Sequence, residues 1–574
     1  MTKHQVAHVL KEIAFFLFLK GDNPFKAQAY ERAAAAVLTS PSDLSDLIAT
    51  NSLTDLSGIG PATARVITDL VTTGRSTTQE EAQGSYPSSL VALGDIPGLS
   101  PKQIIKLHDR AGITSVANLK AACREGRLVS VSGIGPKLQA KLLDALGEYE
   151  RGQGYHLYAD LVEEAEALET ALMTLSGVQS VTLSGAMRRK LEVVNEFVFV
   201  VVSGGKMRMQ SISRRVQTIP NLSDVAVDGD TIRARSPMGM PIRIVVTTPA
   251  HVGLVLLQET GSPEHLDQLL RRFQEHEFED WSAVEATFTG ASEKAVYEAV
   301  SLPYMAPELR EGRGEMDLAT RGLIGSLLET PEIKGVFHLH TVYSDGAGTV
   351  EEMVTAARTR GLRYLGISDH SQSAFYANGL KEPRIRAQWD EIAAVQKKYR
   401  DIHLFKGIEA DILPDGSMDY PDELLAEFDF VIASVHSRFN LSEKEQTARI
   451  CRALSNPYVT MLGHPTGRLL LGRTGYRVDL EQVIDSAARY HKILEINGSR
   501  HRLDLDWRWV RVAKARGVQF CVNPDAHAVD EFENVTLGVN VARKAGLDSG
   551  DVVNTRSLAA MKSFLRQARP SVAG

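Results

Sequence analysis

The sequence predicts a multidomain fold, with α-helical domains first, an α+β region next and a distorted (β/α)7 barrel last. The chain has 574 residues, too many for one hydrophobic core at about 150 residues per domain. Glycine-containing loops recur before helical segments between residues 53 and 136. Between residues 335 and 527, seven short apolar runs alternate with helical segments. That alternation is typical of parallel strands joined by helices.

Composition excludes several classes of protein. Hydrophobic residues make up 43% of the chain and charged residues 24%, unlike a disordered, collagen-like or coiled-coil chain. No apolar run reaches the roughly 18 residues of a membrane helix, so we expect no membrane partner. Cys123, Cys451 and Cys521 are far apart, which predicts a reducing, cytoplasmic compartment. The net charge of −7 does not decide whether nucleic acid binds, because local basic surfaces decide that.

The first region contains three short glycine-containing loops, each followed by a helical segment. Such a loop lets the backbone turn tightly and leaves N–H groups at a helix N-terminus, where a phosphate can bind. One loop alone is equally consistent with a plain helix connector, but the repetition favours an anion-binding role. The loops resemble helix-hairpin-helix motifs, which bind the nucleic-acid backbone without reading sequence. The candidate DNA-binding residues are Gly58, Ile59, Gly60, Gly98, Gly133, Ile134 and Gly135.

The middle of the chain combines β-prone runs with several short signatures. Residues 197–202 and 242–247 predict strands, and residues 227–230 predict a hairpin between them. The signatures are, in chain order, Gly185, Arg188-Arg189, Thr260-Gly-Ser262 and Pro307-Glu-Leu-Arg-Glu311. Together with the helical loops, they resemble family X DNA polymerases over residues 1–318. The resemblance implies helical, fingers-like, palm-like and thumb-like domains in that order.

This resemblance implies a palm site in which three carboxylates would hold two divalent ions. The corresponding positions carry Glu196, Val198 and Arg243, so only the first can ligate a metal. We therefore expect polymerase activity to be weakened or absent. Asp228 or Asp230 could supply substitute ligands for Mn²⁺ or Mg²⁺, although these residues are more typical of a turn. The degenerate polymerase site would comprise Gly185, Arg188, Arg189, Glu196, Val198 and Arg243.

Six of the seven runs in the last region end in histidine, aspartate or glutamate. In a closed barrel of parallel strands, the C-terminal strand ends form one active face. His338 and His340 are two residues apart, so both side chains project from the same side of a strand. A lone pair of this kind is more often a solvated pair than a metal site. Its repetition in successive strands favours a metal centre instead.

The series resembles the PHP (polymerase and histidinol phosphatase) superfamily over residues 335–574. The resemblance implies nine metal ligands, with Glu409, His338 and Asp525 as the catalytic residues among them. One ion would be held by His338, His340, Glu409 and Asp525, a second by Glu409, His436 and His464, and a third by Asp345, His370 and His527. A mixed shell of imidazole and carboxylate suits Zn²⁺ or Mn²⁺ better than Mg²⁺ or Ca²⁺.

Five further residues lie near these motifs. Asp369 and Asp411 are close in sequence to ligands and would support them through hydrogen bonds. Arg438, Arg468 and Arg473 follow two of the ligand motifs and are candidates to bind a substrate phosphate. An ordinary solvated role is equally consistent with each arginine.

Nearly the whole chain resembles bacterial family X polymerase–PHP proteins. That resemblance implies a nucleoid-associated, monomeric DNA repair protein that removes nucleotides from 3′ ends and also binds nucleotides. Two alternatives remain open: an active Mn²⁺-dependent gap-filling polymerase, and a small-molecule phosphoesterase of the histidinol-phosphatase type. The expected units are a helical DNA-binding domain (1–85), a fingers-like domain (86–150), a palm-like domain (151–250), a thumb-like domain (251–318), a linker (319–334) and the PHP domain (335–574).

Overall fold

A computed structural model confirms the predicted fold class: helical N-terminal domains, a mixed α/β middle and a seven-stranded parallel barrel. It describes residues 1, 3–21, 23–40, 43–56, 58–94, 96, 99–130, 134–204, 209–220, 222–237 and 239–567. Two predicted DNA-binding residues, Gly98 and Gly133, lie outside these ranges. Within them, none of the helices combines the length and hydropathy needed to cross a bilayer.

Nine α-helices make up the N-terminal part of the described chain. They are α1 (Lys3–Leu19), α2 (Pro24–Thr39), α3 (Leu44–Ala49), α4 (Pro61–Thr73), α5 (Thr77–Gln83), α6 (Val91–Gly94), α7 (Pro101–Ala111), α8 (Val116–Arg124) and α9 (Pro136–Gly152). Leu10 and Ile13 of α1 share one hydrophobic core with Ile104 of α7 and Leu119 of α8. The predicted boundary after residue 85 therefore does not separate two hydrophobic cores.

A five-stranded sheet forms the centre of the middle region. The elements are β1 (His156–Leu157), α10 (Tyr158–Met173), β2 (Val178–Ser184), α11 (Gly185–Arg188), β3 (Val193–Val194), β4 (Phe197–Ser203), α12 (Met209–Val216), β5 (Ser223–Asp228), β6 (Thr231–Arg235) and β7 (Pro241–Thr247). The strand order is β2-β4-β7-β6-β5, with β4 and β7 parallel. All of β4 is buried, since valine and phenylalanine suit a strand covered on both faces.

Five helices follow this sheet and enclose a separate core. They are α13 (Val252–Thr260), α14 (Pro263–Gln274), α15 (Trp281–Thr287), α16 (Glu293–Glu298) and α17 (Glu315–Thr320). His265 is fully buried, with Nδ1 2.8 Å from Glu315 Oε1 and Nε2 2.8 Å from the Tyr297 hydroxyl. This buried triad links α14 to α16 and α17.

The last region is a parallel barrel. Its elements are β8 (Gly335–Val336), α18 (Val350–Thr359), β9 (Tyr364–Ile367), α19 (Glu382–Lys398), β10 (His403–Asp411), α20 (Asp422–Leu425), β11 (Phe430–Ser434), α21 (Glu443–Ser455), β12 (Met461–Leu462), α22 (Leu480–Arg489), β13 (Ile493–Asn497), α23 (Trp507–Ala515), β14 (Phe520–Asn523), α24 (Asn534–Lys544) and α25 (Leu558–Gln567). The seven strands lie side by side in chain order. A parallel bridge from Leu339 to Ala526 nearly closes the ring, so all C-terminal strand ends face one side.

Buried charged groups join the barrel to the middle of the chain. Lys544 of α24 is completely buried, and its Nζ donates to Glu311 Oε1 at 2.6 Å and to the Arg189 carbonyl oxygen at 2.9 Å. Arg543, the preceding residue, pairs with Glu308 at 2.9 Å. Two of the signatures in the middle region, Arg189 and the segment 307–311, therefore contact the barrel directly.

Candidate metal centre

The nine predicted metal ligands gather on one face of the barrel. They are His338, His340 and Asp345 after β8, His370 after β9, Glu409 in β10, His436 after β11, His464 after β12, and Asp525 and His527 after β14. Seven of these side chains are less than a tenth exposed, whereas Asp345 and His527 are 32% and 36% exposed. The centre is thus buried on one side and reaches solvent at Asp345 and His527.

Glu409 lies in the middle of the group and is fully buried. Its Oε1 is 2.8 Å from His464 Nε2, 3.2 Å from His436 Nε2 and 3.3 Å from His338 Nε2. Its Oε2 is 2.9 Å from His370 Nδ1. One carboxylate therefore touches histidines from four different strands, which is the position that a bridging ligand would occupy.

Four overlapping groups of side chains present ligand atoms within 4.8 Å of one another: His340, Asp345, His370 and His527; His338, His464 and Asp525; His338, His340 and Glu409; and His370, Glu409 and His436. The third predicted set is present, with His340 added. The other two sets are divided differently, since His464 joins His338 and Asp525, while His370 joins Glu409 and His436. The sets overlap because Glu409 lies between them.

Several polar atoms at the centre are buried and unsatisfied. Within the described chain, His338 Nε2, His340 Nδ1, His370 Nδ1 and Glu409 Oε2 make no hydrogen bond of good geometry, although His370 Nδ1 and Glu409 Oε2 are 2.9 Å apart. An unpaired polar group in a protein interior costs stability unless it serves another purpose. Imidazole nitrogens and carboxylate oxygens are also the donors that zinc and manganese accept. The residues present therefore fit bound metal ions.

Opposite charges stabilise one another in this buried group. Burial alone would raise the pKa of Glu409, but His436, His338 and His370 hold it well below its ordinary value. Likewise burial would lower the pKa of His436, yet Glu409 and Asp411 raise it to about 10. His340 shows the reverse balance, because burial and its histidine neighbours His370 and His527 lower its pKa well below the usual value.

Three buried residues behind the ligands escaped the sequence analysis. Glu495 accepts at Oε1 from His338 Nδ1 at 2.6 Å and at Oε2 from the His464 backbone N–H at 2.7 Å. Asn497 donates to Glu495 at 3.1 Å, and Asn523 donates to it at 3.0 Å. These bonds leave Nε2 of His338 directed toward Glu409. The sequence did contain a signal for two of them, because Glu495 and Asn497 are polar residues in the otherwise apolar strand β13.

Asp369 and Asp411 support the centre as the sequence suggested. Asp411 Oδ1 is 2.7 Å from His436 Nδ1. Asp369 accepts from the Thr341 N–H at 2.8 Å and the Ser344 N–H at 3.1 Å, and so holds the loop that carries Asp345. Burial raises the pKa of Asp369, although these hydrogen bonds oppose the rise.

The arginines near the centre are arranged differently from the prediction. Arg468 turns away, because its guanidinium donates to Asp506 at 2.6 Å and to the Arg502 carbonyl oxygen at 2.8 Å. Arg473 lies over the Phe439 ring at 4.6 Å, and Arg438 is exposed two residues after His436. Arg502, which the sequence analysis missed, has its Nε 3.5 Å from Asp525 Oδ2. Arg502 is therefore the guanidinium placed directly against a candidate ligand.

The palm positions share one face of the middle sheet. Val198 of β4 pairs in register with Arg243 of β7, and Glu196 precedes Val198 by two residues. Arg243 lies between two carboxylates, 2.6 Å from Glu259 and 3.6 Å from Glu196. The position at which the resemblance predicts a third carboxylate therefore carries a cation that is already paired.

The remaining palm signatures make internal contacts. A Cβ on Gly185, whose φ is +62°, would lie 2.9 Å from Val198 Cγ2, so glycine permits this close approach. Arg188 donates to both oxygens of Glu293, and Arg189 pairs with Glu311 at 3.0 Å. The two arginines therefore connect the palm sheet to the helices that follow it.

The described helix-hairpin-helix residues lie at helix starts. Ile59 and Ile134 are buried, and Gly60 and Gly135 directly precede α4 and α9. Gly58 has a φ of +95°, and a Cβ there would come within 3.2 Å of the Arg32 carbonyl oxygen. The buried isoleucine thus fixes each turn to the core, while the helix N-terminus after it faces outward.

Three family models match the chain. A helix-hairpin-helix domain matches residues 1–76, and a SAM-like helix-hairpin-helix tandem matches residues 90–148. A PHP domain matches residues 337–499. The matches cover the glycine-containing loops and most of the metal centre.

Similar proteins differ in how much of the chain they cover. Several probable phosphatases match less than half of the chain: one from Thermoanaerobacter sp. (strain X514) is 29% identical over 41% of this chain and 96% of its own length. One from Vibrio parahaemolyticus is 27% identical over 41% of this chain and 94% of its own length. The DNA polymerase/3′-5′ exonuclease PolX of Bacillus subtilis (strain 168) is 34% identical over 99% of this chain and all of its own length. The chain therefore belongs to the PolX family of DNA polymerase/3′-5′ exonucleases, with helix-hairpin-helix and PHP domains.

Proposed function

We propose that the barrel hydrolyses phosphodiester bonds at DNA 3′ ends, in the manner that the name of the Bacillus subtilis relative describes. The observation that carries this proposal is the convergence of nine ligand side chains around the buried Glu409. The same chain contains helix-hairpin-helix domains, which bind the nucleic-acid backbone, so DNA is the expected substrate. Polymerase activity would be weak, because Val198 and Arg243 occupy carboxylate positions.

The ligand residues would hold up to three ions, and Zn²⁺ or Mn²⁺ fits their chemistry best. Ions bound there would activate water for attack on phosphorus and neutralise the phosphate oxygens. The chain's own residues then have separate tasks. Glu495 holds the His338 ring with Nε2 toward the centre, and Asp411 does the same for His436. Arg502 is placed to donate to a phosphate oxygen beside Asp525.

The rest of the chain would present DNA to the barrel. The helix N-termini after Ile59 and Ile134 would contact backbone phosphates, and the middle sheet would serve as a binding surface. We infer the functional division predicted from the sequence, with units at 1–85, 86–150, 151–250, 251–318 and 335–574. We further propose a monomer that acts on gapped or recessed DNA with little use of nucleotides.

One competing function has an observation in its favour. The probable phosphatases match about 41% of the chain, a length similar to that of the barrel region, which would suit hydrolysis of a small phosphate ester. The helical DNA-binding domains would have no use in such an enzyme. The two functions therefore predict different results at low DNA concentration: a nuclease would degrade the DNA, and a small-molecule phosphatase would not.

A single assay separates these functions. A 5′-labelled primer–template is incubated with the protein and Mn²⁺, with and without nucleotides. We expect the primer to shorten from its 3′ end under both conditions. Extension in the presence of nucleotides would favour the polymerase, and an unchanged primer together with hydrolysis of a small phosphate monoester would favour the phosphatase.

The metal content of the protein, measured by elemental analysis, is expected to reach as many as three ions per chain.

A further inference from the structure

Two neighbouring aromatic side chains are unusually exposed at the edge of the metal centre. Phe375 is 84% exposed and Tyr376 is 71% exposed, and they belong to one 3₁₀ turn, Phe375–Ala377. Among the large apolar side chains that the structure describes, Phe375 is the most exposed. We refer to Phe375–Ala377 as the aromatic turn.

The aromatic turn lies directly beside candidate metal ligands. The Tyr376 ring centroid is 6.1 Å from the His370 ring and 6.4 Å from the His436 ring. A molecule bound at the metal centre would therefore lie near this ring.

The aromatic turn is held rigidly from below. Ser371 Oγ donates to Asp419 at 2.7 Å, and the Ser373 N–H donates to the same carboxylate at 3.0 Å. A Cβ on Gly379 would lie 1.9 Å from the Ser371 carbonyl oxygen, so only glycine fits there. The Leu380 N–H donates to the His370 carbonyl oxygen at 2.8 Å. These contacts anchor the chain on both sides of the aromatic turn, beside the metal centre.

A cationic side chain also lies at the metal centre, because Arg502 Nε is 3.5 Å from Asp525 Oδ2. A site edged by exposed aromatic rings and a guanidinium matches the two parts of a nucleotide, because bases stack on rings and phosphates pair with arginine.

We propose that the aromatic turn is a nucleobase subsite, in which Tyr376, assisted by Phe375, stacks on a base at the 3′ end of DNA. This inference rests on the proposed 3′-end hydrolysis and specifies how the substrate is held. Stacking tolerates every base, since each base has a flat face. The subsite would therefore favour a nucleic-acid end over a small phosphate ester without reading sequence.

The test compares two substrates in the full-length, metal-loaded protein. One is a 5′-labelled single-stranded oligonucleotide, and the other is glycerol 2-phosphate, which has neither a base nor an aromatic ring. For Tyr376→Ala combined with Phe375→Ala, we expect KM for the oligonucleotide to rise about tenfold, the scale of one lost base–aromatic stack. The rate of phosphate release from glycerol 2-phosphate and the metal content are expected to stay unchanged.

Two controls make the result specific to stacking. Tyr490→Ala removes an aromatic side chain that is 41% exposed at the opposite end of the barrel, after α22, and should leave KM unchanged. Tyr376→Phe keeps the ring and should retain wild-type KM. Replacing the bases at the 3′ end by abasic residues should raise KM for the wild-type protein and have little further effect on the double variant.

Different results would overturn different claims. If the wild-type protein degrades the oligonucleotide and the double variant does so with the same KM, the subsite is refuted while the proposed function stands. If Tyr376→Phe loses as much activity as Tyr376→Ala on both substrates, the hydroxyl is what matters and the stacking role is refuted. If the wild-type protein degrades no DNA under any metal, the proposed function itself fails.

Discussion

The palm sheet and the barrel are two sites where phosphate chemistry is expected, and they differ in how their charges are arranged. In the barrel, Glu409 and Asp525 are surrounded by histidines and by unpaired buried nitrogens. In the palm, Arg243 lies between Glu196 and Glu259 and pairs with both. In the barrel, the partners of the carboxylates are imidazoles, which can themselves bind a metal ion. In the palm, the carboxylates are already neutralised by a guanidinium, which cannot bind one.

The largest expected effect tests the barrel side of this comparison. Glu409→Gln removes the carboxylate that touches four histidines, so DNA degradation should fall by at least about a thousandfold. The measurement is the rate of shortening of a 5′-labelled oligonucleotide with Mn²⁺. Glu423→Gln, at an exposed position of α20, is the matched control and should retain full activity. Degradation by Glu409→Gln at the wild-type rate would move the chemistry out of the barrel.

A second prediction treats the palm signature as a structural element. Glu293→Gln should destabilise the protein by about 3 kcal/mol, because it leaves the buried Arg310 and Arg188 without their carboxylate. Burial would raise the pKa of Glu293, but the two arginines hold it below the ordinary value of a glutamate.

The contribution of Glu293 to stability is therefore fully present above the ordinary pKa of a glutamate and is lost as the pH falls toward the lowered pKa of the folded protein. Urea denaturation at pH 7 and pH 4 should show the difference between wild type and Glu293→Gln shrinking at the lower pH. Glu298→Gln, on the exposed side of α16, should change stability by less than about 0.5 kcal/mol at either pH. A difference that grew on acidification would contradict a lowered pKa for Glu293 in the folded protein.

The third prediction concerns the support behind the ligands. Glu495→Gln keeps the size of the side chain but removes the negative charge that fixes the His338 ring, so metal affinity should fall about 10- to 100-fold. Titration of the metal-free protein with Zn²⁺ measures the change, and Glu443→Gln, exposed on α21, serves as control. An unchanged affinity would mean that packing alone orients His338.

The smallest expected effect tests the palm directly. Val198→Asp combined with Arg243→Asp would place three carboxylates near one another with Glu196 and should raise nucleotide incorporation about tenfold or more. Primer extension with Mg²⁺ or Mn²⁺ measures the gain, and Arg243→Asp alone separates charge removal from ligand addition. If the wild-type protein extended primers as fast as the restored variant, the palm alignment would be wrong.

Much of the metal centre could be predicted because its residues follow strands in a regular pattern. His338, His370 and His464 each come just after an apolar run, and parallel strands necessarily bring such positions together. Glu495 could not be identified in the same way, because it lies inside a buried strand and its role depends on His338, which is distant in sequence. The palm assignment depended on a resemblance and stays a prediction; the structure shows that Val198 and Arg243 pair in register.

Proximity in sequence was a poor guide to the arginines. Arg468 follows His464 closely, yet its partner Asp506 lies far along the chain and takes its guanidinium away from the centre. Arg502 is distant from every ligand motif in sequence and still reaches Asp525. The direction of a long side chain is set by tertiary partners, which no local pattern contains.

The buried Lys544 has a consequence for how DNA would travel between the two halves of the molecule. Separating α24 from Glu311 would leave an unpaired buried charge on one side or the other, at a cost of several kcal/mol. The barrel and the middle region are therefore held at a constant distance from each other. A DNA end that moves from one region to the other would have to unpair and diffuse, so its rate of transfer would depend on the melting of the DNA end and not on a domain motion.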